Sequence, residues 1–337
     1  MRFYELNMYA PGASKPSRTW TTHPNGVWDP GALMLGFDVI ATPYATPVGG
    51  STLTLWGVSL QDLAQSSNFG RHYDAQGNYQ PGVTLELLGG MAKGLPLADP
   101  TQRGLLMVGE VVQGFGNWQG TDQHISLVIY PSVYTMEHPG NFVLVWRRGQ
   151  KLSEALESCL KMAYPNNPVE VSISDQIIAD QDMPHVCGTL SGLAMAIKDT
   201  SEEVLGPRHW VDIAIRGRTI VAYDGTVQPG VVQLNIPDLL SQPTWVDVGT
   251  MQIDVVLRGD VQVGGLVRMP PALTNSPGMV GMTSNAWPGV YNYQATFSGD
   301  FKVTGVRHVG NSRSPDGTQW ATHLRCVPNT PLKRAGG

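Results

Sequence analysis

The chain has 337 residues, more than one ordinary domain holds, so two or three units with separate cores are expected. Charged residues make up only 15%, against roughly 25% in an average soluble protein, and a surface poor in Lys and Glu suits burial against other protein. A net charge of −5 argues against nucleic acid as the main partner, and three cysteines, Cys159, Cys187 and Cys326, are too few and too far apart for a disulfide framework or a zinc site.

The 39 glycines and 25 prolines are spread through the chain as turn punctuation, the habit of a protein with many short strands. The N-terminus lacks a basic region followed by an apolar stretch, so no signal peptide is expected. Nothing approaches 18 consecutive apolar residues, so no membrane insertion is expected, and the chain is expected to be made in a cytoplasm and to stay soluble.

In chain order, Phe3, Leu6 and Met8 read as a strand closed by Pro11-Gly12. Residues 32–40 read as a buried strand stopping before Pro43, and 52–58 alternate as a half-buried strand. Ser59 is placed to cap a short helix over 60–65. Strands follow over 83–90, 105–112 and 125–130, a spacing that argues for a small barrel or sandwich with one helical plug.

The pattern changes near Pro139-Gly140. After a strand at 142–146, Leu152, Ala155, Leu156, Cys159, Leu160 and Ala163 recur at helical spacing up to Pro165. Residues 169–173 alternate as a strand, and Leu190, Leu193, Ala194 and Ile197 mark a second helix ending at Gly206-Pro207. Cys159 and Cys187 fall in helical apolar patterns, as small buried hydrophobes. From Trp210 the chain is β again: two runs within 211–223, then 231–234, 251–257 and 266–269. Residues 301–310 pair with 319–327 across a turn whose Ser-Pro-Asp-Gly core is turn chemistry. The expectation is a mainly β fold with a helical insert (α+β). Two small β-barrel domains, 1–138 and 210–328, would flank a mixed segment at 139–209, with a loose tail at 329–337.

Catalytic and cofactor patterns are weak. The eight histidines form no helical zinc pair, and no His-Glu-x-x-His occurs. Asp175, Asp180, Asp182 and His185 lie together but without the closely alternating oxygen ligands of a calcium loop. Gly89-Gly90-Met91-Ala92-Lys93-Gly94 lacks the Gly-Lys-Ser/Thr ending of a phosphate loop, and no Gly-x-Ser-x-Gly elbow is present. No catalytic residue, cofactor or metal is expected, and the chain is expected not to be an enzyme. The nine tryptophans suit sugar stacking, but they are spread evenly, as core anchors are.

Three stretches, Leu55 to Phe69, Val83 to Ala98 and Gly109 to Gly120, resemble the N-terminal barrel of baseplate hub proteins from contractile-tailed bacteriophages. Phe297 to Arg313 looks like the strand-turn-strand with which such hubs close a second barrel. The resemblance implies two related barrels per subunit and a homotrimer whose six barrels match the tail tube above while its three-fold face seats the spike below. Partners implied are the spike, the tail tube or tube-initiator protein, baseplate wedge proteins and the tape measure protein. DNA would pass only in transit, and the place would be the virion tail. Interface contributors would be Trp118 and the loop holding Arg307, His308 and Arg313. Two other readings stay open: another tail structural protein, tube-like or distal, and a tail-borne carbohydrate-binding or cell-wall hydrolase module.

Overall fold

The computed structural model describes residues 1–44, 50–92, 99–131, 141–206, 209–226, 230–247, 249–274, 297 and 299–329. Its first part is built from β1 (Arg2–Tyr9), β2 (Arg18–Thr21), β3 (Met34–Ala41), β4 (Ser51–Trp56), α1 (Leu60–Ala64), the short pair β5 (His72–Tyr73) and β6 (Tyr79–Gln80), β7 (Thr84–Met91), β8 (Gly104–Gln119) and β9 (Asp122–Pro131). Alternation does the building. In β4, Ser51, Leu53 and Leu55 face inward while Thr52 faces water, the period-2 pattern of a sheet with one buried face. The strands pair in the order β3-β4-β9-β8-β7-β1-β2 around a core that includes Tyr4, Leu6, Leu35, Leu55, Leu87 and Leu127. Ser59 caps α1, its hydroxyl accepting from the Asp62 amide at 3.1 Å, as expected. The plug rests on β8 where Gly114 and Gly116 clear the way; a Cβ on Gly114 would stand 2.3 Å from the Ser66 carbonyl oxygen.

The middle of the chain carries β10 (Phe142–Trp146), α2 (Leu152–Ala163), β11 (Val169–Ser172), β12 (Met183–Cys187) and α3 (Leu190–Leu205). Both helices lie where their 3.6-residue spacing put them. They pack Leu152, Leu156 and Leu160 of α2 and Leu193, Ala194 and Ile197 of α3 into one core with Phe142, Leu144 and Trp146. Cys159 is in α2, but Cys187 is not helical: it ends β12, paired with Phe142 in an antiparallel two-strand sheet. The run Met-Pro-His-Val-Cys hides this strand, because Pro184 is admitted only where the sheet has an edge.

Then come β13 (Asp212–Arg216), β14 (Thr219–Tyr223), β15 (Val231–Gln233), β16 (Thr244–Asp247), β17 (Thr250–Val256), β18 (Leu266–Arg268), β19 (Asp300–Asn311) and β20 (Trp320–Pro328). β13 and β14, expected to open the second barrel, pair with β11 instead, β11 running parallel to β14. Their residues are buried on both faces: Ile213, Ile220 and Ala222 face the helical core, while Ala214, Val221 and Tyr223 face a third core with Val255, Phe301 and Leu324. Continuous apolar runs of this kind belong to strands covered on both sides.

The first and third parts are joined edge to edge. β3 pairs antiparallel with β19, from Val306 opposite Ala41 to Asn311 opposite Gly36. One ladder therefore runs β16-β17-β20-β19-β3-β4-β9-β8-β7-β1-β2, with β15 and β18 attached beside β19. Among the described residues this ladder has two ends and does not return on itself. The molecule is mainly β with few helices. The expected tail lies outside the described residues from 330 onward, as do Pro139-Gly140, Gly94 and Trp287.

Candidate interaction surfaces

Trp118 sits near the tip of the β8–β9 hairpin, opposite Gln123, and is 58% exposed. Its indole N–H donates to the Gly120 carbonyl at 2.8 Å, which fixes the ring across the turn. Residues 115–119 are exposed throughout, so beyond the α1 plug the hairpin leaves Phe115 and Trp118 as apolar groups in water. The strand expected over 105–112 continues to Gln119, because glycine at 114 and 116 lets it pass over the plug.

Arg307 is within β19 rather than in a loop, exposed, and grips Asp38 of β3 with both prongs at 2.8 and 2.6 Å. Arg313 lies in the turn after β19 and donates to the carbonyls of Pro30 and Ala32 at 3.2 and 2.6 Å, pinning the β2–β3 connection. His308 departs from the expectation of a surface residue. It is 3% exposed, because neighbouring residues of a strand point to opposite faces and Arg307 takes the outer one. Its Nδ1 shares a hydrogen bond with the Thr322 hydroxyl at 2.9 Å, and burial pushes its pKa down to about 3. Trp118 and Arg307 are not brought together; β9, β4 and β3 stand between their strands.

Further exposed surfaces were not expected from the sequence. The outward face of the β10–β12 sheet pairs Val143 with Val186 and Val145 with Pro184, four exposed apolar residues in a square. The signal was present in Phe142 to Trp146, an unbroken apolar run where a half-exposed strand needs alternation. Tyr73 and Tyr79, 72% and 52% exposed, meet edge to face at 6.0 Å on the β5–β6 hairpin. On the outer face of β17, β20, β19 and β3 a groove of about 380 Å³ is lined by Arg307, His323 and Arg325.

Charge is also placed inside. Arg258, 2% exposed, bonds Asp260 at 2.7 and 2.6 Å and stands 3.4 Å from Asp238, whose other oxygen accepts from Gln102 at 2.8 Å. Lys198 and Lys302 lie 4.7 and 5.0 Å from the Trp210 ring, with Trp210 donating to Asp212 at 2.9 Å. Burial raises the Asp212 pKa and lowers that of Lys302. These clusters tie segments distant in sequence. The acids of the 175–182 segment have similar duties: Asp175 pairs with Lys151 at 2.9 Å and Asp182 accepts from the Arg148 amide. Among the described residues no group of three or more His, Cys, Asp or Glu is placed to hold a metal ion.

No family model matches the chain, and no curated protein does. Among solved structures it resembles tail proteins. It is similar to the tail protein from Neisseria meningitidis MC58, at 10% identity over 96% of each chain with a TM-score of 0.48. It is similar to the 43 kDa tail protein of prophage MuSo2 from Shewanella oneidensis, at 10% identity over 96% of this chain and 97% of that one, TM-score 0.49. The E. coli c3393 protein, a type VI secretion component described as similar to the T4 bacteriophage tail proteins gp27 and gp5, is matched over 88% of this chain and 73% of its own, at 9% identity and TM-score 0.44. These similarities assign no role to a residue.

Proposed function

We propose that this chain is a structural, non-enzymatic component of a contractile phage-type tail and that it serves there as the baseplate hub. The observation that carries this reading is the β3–β19 ladder. The stretches that resemble hub barrels come from opposite ends of the chain, and the modules that hold them meet edge to edge through β3 and β19 with a separate core on either side. A subunit carrying two such modules side by side is what an adaptor between three-fold and six-fold symmetry needs. In this reading residues 1–138 and 210–328 form the paired barrels and 139–209 the insert, with the 212–223 hairpin shared between insert and second barrel. Three subunits form a ring that seats the spike below and meets the tail tube or its initiator above. Wedge and tape measure proteins touch it during assembly, and DNA crosses it in transit. Trp118, Arg307 and Arg313 then belong to surfaces that meet other chains.

The deficit of surface charge supports the same reading, since interface centres are depleted in Lys and Glu. The deciding experiment is light scattering with negative-stain microscopy on the purified chain. A mass three times the 36.4 kDa subunit and a three-fold ring are expected. A hexamer would favour a tube-like tail protein. A lasting monomer that releases peptidoglycan fragments would replace the reading with a cell-wall hydrolase.

A further inference from the structure

The outer face of four adjacent strands carries a groove of which the foregoing uses only Arg307. Register places Gln252 and Gly305 on either side of Arg325, and Asp254 and Arg307 on either side of His323. Gly305 follows a shift in register between β19 and β20, and the missing side chain opens the floor; a Cβ there would meet only ordinary contacts, Arg325 Cβ at 3.6 Å and Thr42 Cγ2 at 3.8 Å. The resulting space is about 380 Å³.

Its charges are one-sided. The guanidiniums of Arg307 and Arg325 line it, with the His323 ring between them, and no carboxylate does. The two acids close by are turned to other work: Asp38 grips Arg307, and Asp254 accepts from His323 at 2.7 Å, from Gln252 and from Ser241. Arg325 is exposed and has no carboxylate partner among the described residues. Beside it, the Thr42 hydroxyl is buried without a hydrogen-bond partner among them. A planar guanidinium left open over a glycine floor is suited to a carboxylate, which it holds by two parallel charge-assisted bonds.

We infer that this groove receives an acidic peptide segment of a partner protein, with Arg325 holding a Glu or Asp carboxylate and Gly305 making room for the backbone beside it. The space exceeds what one small anion fills, and Gln252 lines it with an amide of which one N–H is engaged by Asp254. A nucleic acid backbone suits it less: tracking phosphates takes a row of unengaged cations, and Arg307 is already paired with Asp38. The chemistry requires no particular assembly, so it stands apart from the tail reading.

Fluorescence anisotropy of labelled hexaglutamate with the full chain at low salt tests this. Arg325→Ala and Gly305→Val should each weaken binding by about tenfold or more, the scale of losing a charge-assisted bidentate contact. Arg148→Ala, which removes an exposed arginine elsewhere, should leave binding unchanged. Thermal unfolding identifies any variant that fails to fold, and the exposed Arg325 position keeps the test valid if Gly305→Val does. Binding that survives Arg325→Ala, no binding by the wild-type chain, or tighter binding of an oligodeoxynucleotide of equal charge would overturn the assignment.

Discussion

Arg258 carries its charge in a site that is 2% exposed, and the cost of removing that charge from water is met by Asp260 and Asp238 together. Cutting the arginine back to alanine would leave Asp238, itself 5% exposed, without its counter-charge. Arg258→Ala should therefore lower stability by about 3–5 kcal/mol in urea unfolding, while Arg325→Ala at the surface should change it by no more than roughly 0.5 kcal/mol. Equal effects from the two would show that the buried cluster contributes nothing. His308 makes a second case, one that depends on pH. Its folded pKa, about 3, lies below the usual histidine value of about 6.5. Between these values the unfolded chain binds a proton that the folded site refuses. Stability from this site is therefore whole above about pH 6.5 and is lost as pH falls toward 3, at up to ~1.4 kcal/mol per pH unit. His308→Asn cannot titrate, so its stability should fall by about 2 kcal/mol less than the wild type's between pH 6.5 and 5. Parallel curves for the two proteins would refute the assignment.

At the level of elements, Glu110 of β8 shows how a loop is held from below. It is fully buried, takes Arg71 at 3.2 and 3.4 Å and accepts from the Gly82 amide at 3.0 Å, clasping both ends of the segment that carries Tyr73 and Tyr79. Glu110→Ala should release that hairpin, costing about 2–4 kcal/mol and raising hydrogen exchange over 70–82 before any other region. Exchange that stays slow there would mean the hairpin is held by its own turn. This element also marks what the sequence could and could not disclose. α1, α2 and α3 were legible, because helical spacing and the Ser59 cap are local signals. The β19–β20 hairpin was legible because its turn is written in Ser314-Pro315-Asp316-Gly317. The β5–β6 pair, β12 and the far half of β8 were not. The β5–β6 turn is held locally by the Asp74 carboxylate, which accepts from the Gln76 and Asn78 amides, and Glu110 only anchors the segment's ends. By contrast, β12 and the far half of β8 follow from tertiary causes, an edge that admits Pro184 and glycines that clear the plug beneath. The surfaces were less legible than the fold. His308 stood beside Arg307 in sequence, and only strand direction reveals that one points inward and the other out. The β10–β12 face could have been suspected from its unbroken apolar run.

Across the whole molecule, three cores share their walls. The β13–β14 hairpin has the helical core on one face and the third core on the other, and the β3–β19 ladder joins the first core to the third. Gln102 crosses the same boundary to Asp238. Units that share strands cannot unfold apart without exposing a neighbour's buried face, so a single calorimetric transition is expected despite the chain's length. One exacting point in the shared wall is Gly310, opposite Phe37 in the ladder, where the ring lies so close that a Cβ would stand 2.2 Å from it. Gly310→Val would force Phe37 off its seat against Trp320, with which it now packs at 5.5 Å, at a cost of about 1–3 kcal/mol. If the ladder couples the two ends, the variant should lower the single transition as a whole and speed hydrogen exchange in β4 and in β17 alike. Two separate transitions in the wild-type chain, or faster exchange on one side of the ladder only, would mean that the two modules stand independently and meet without sharing stability.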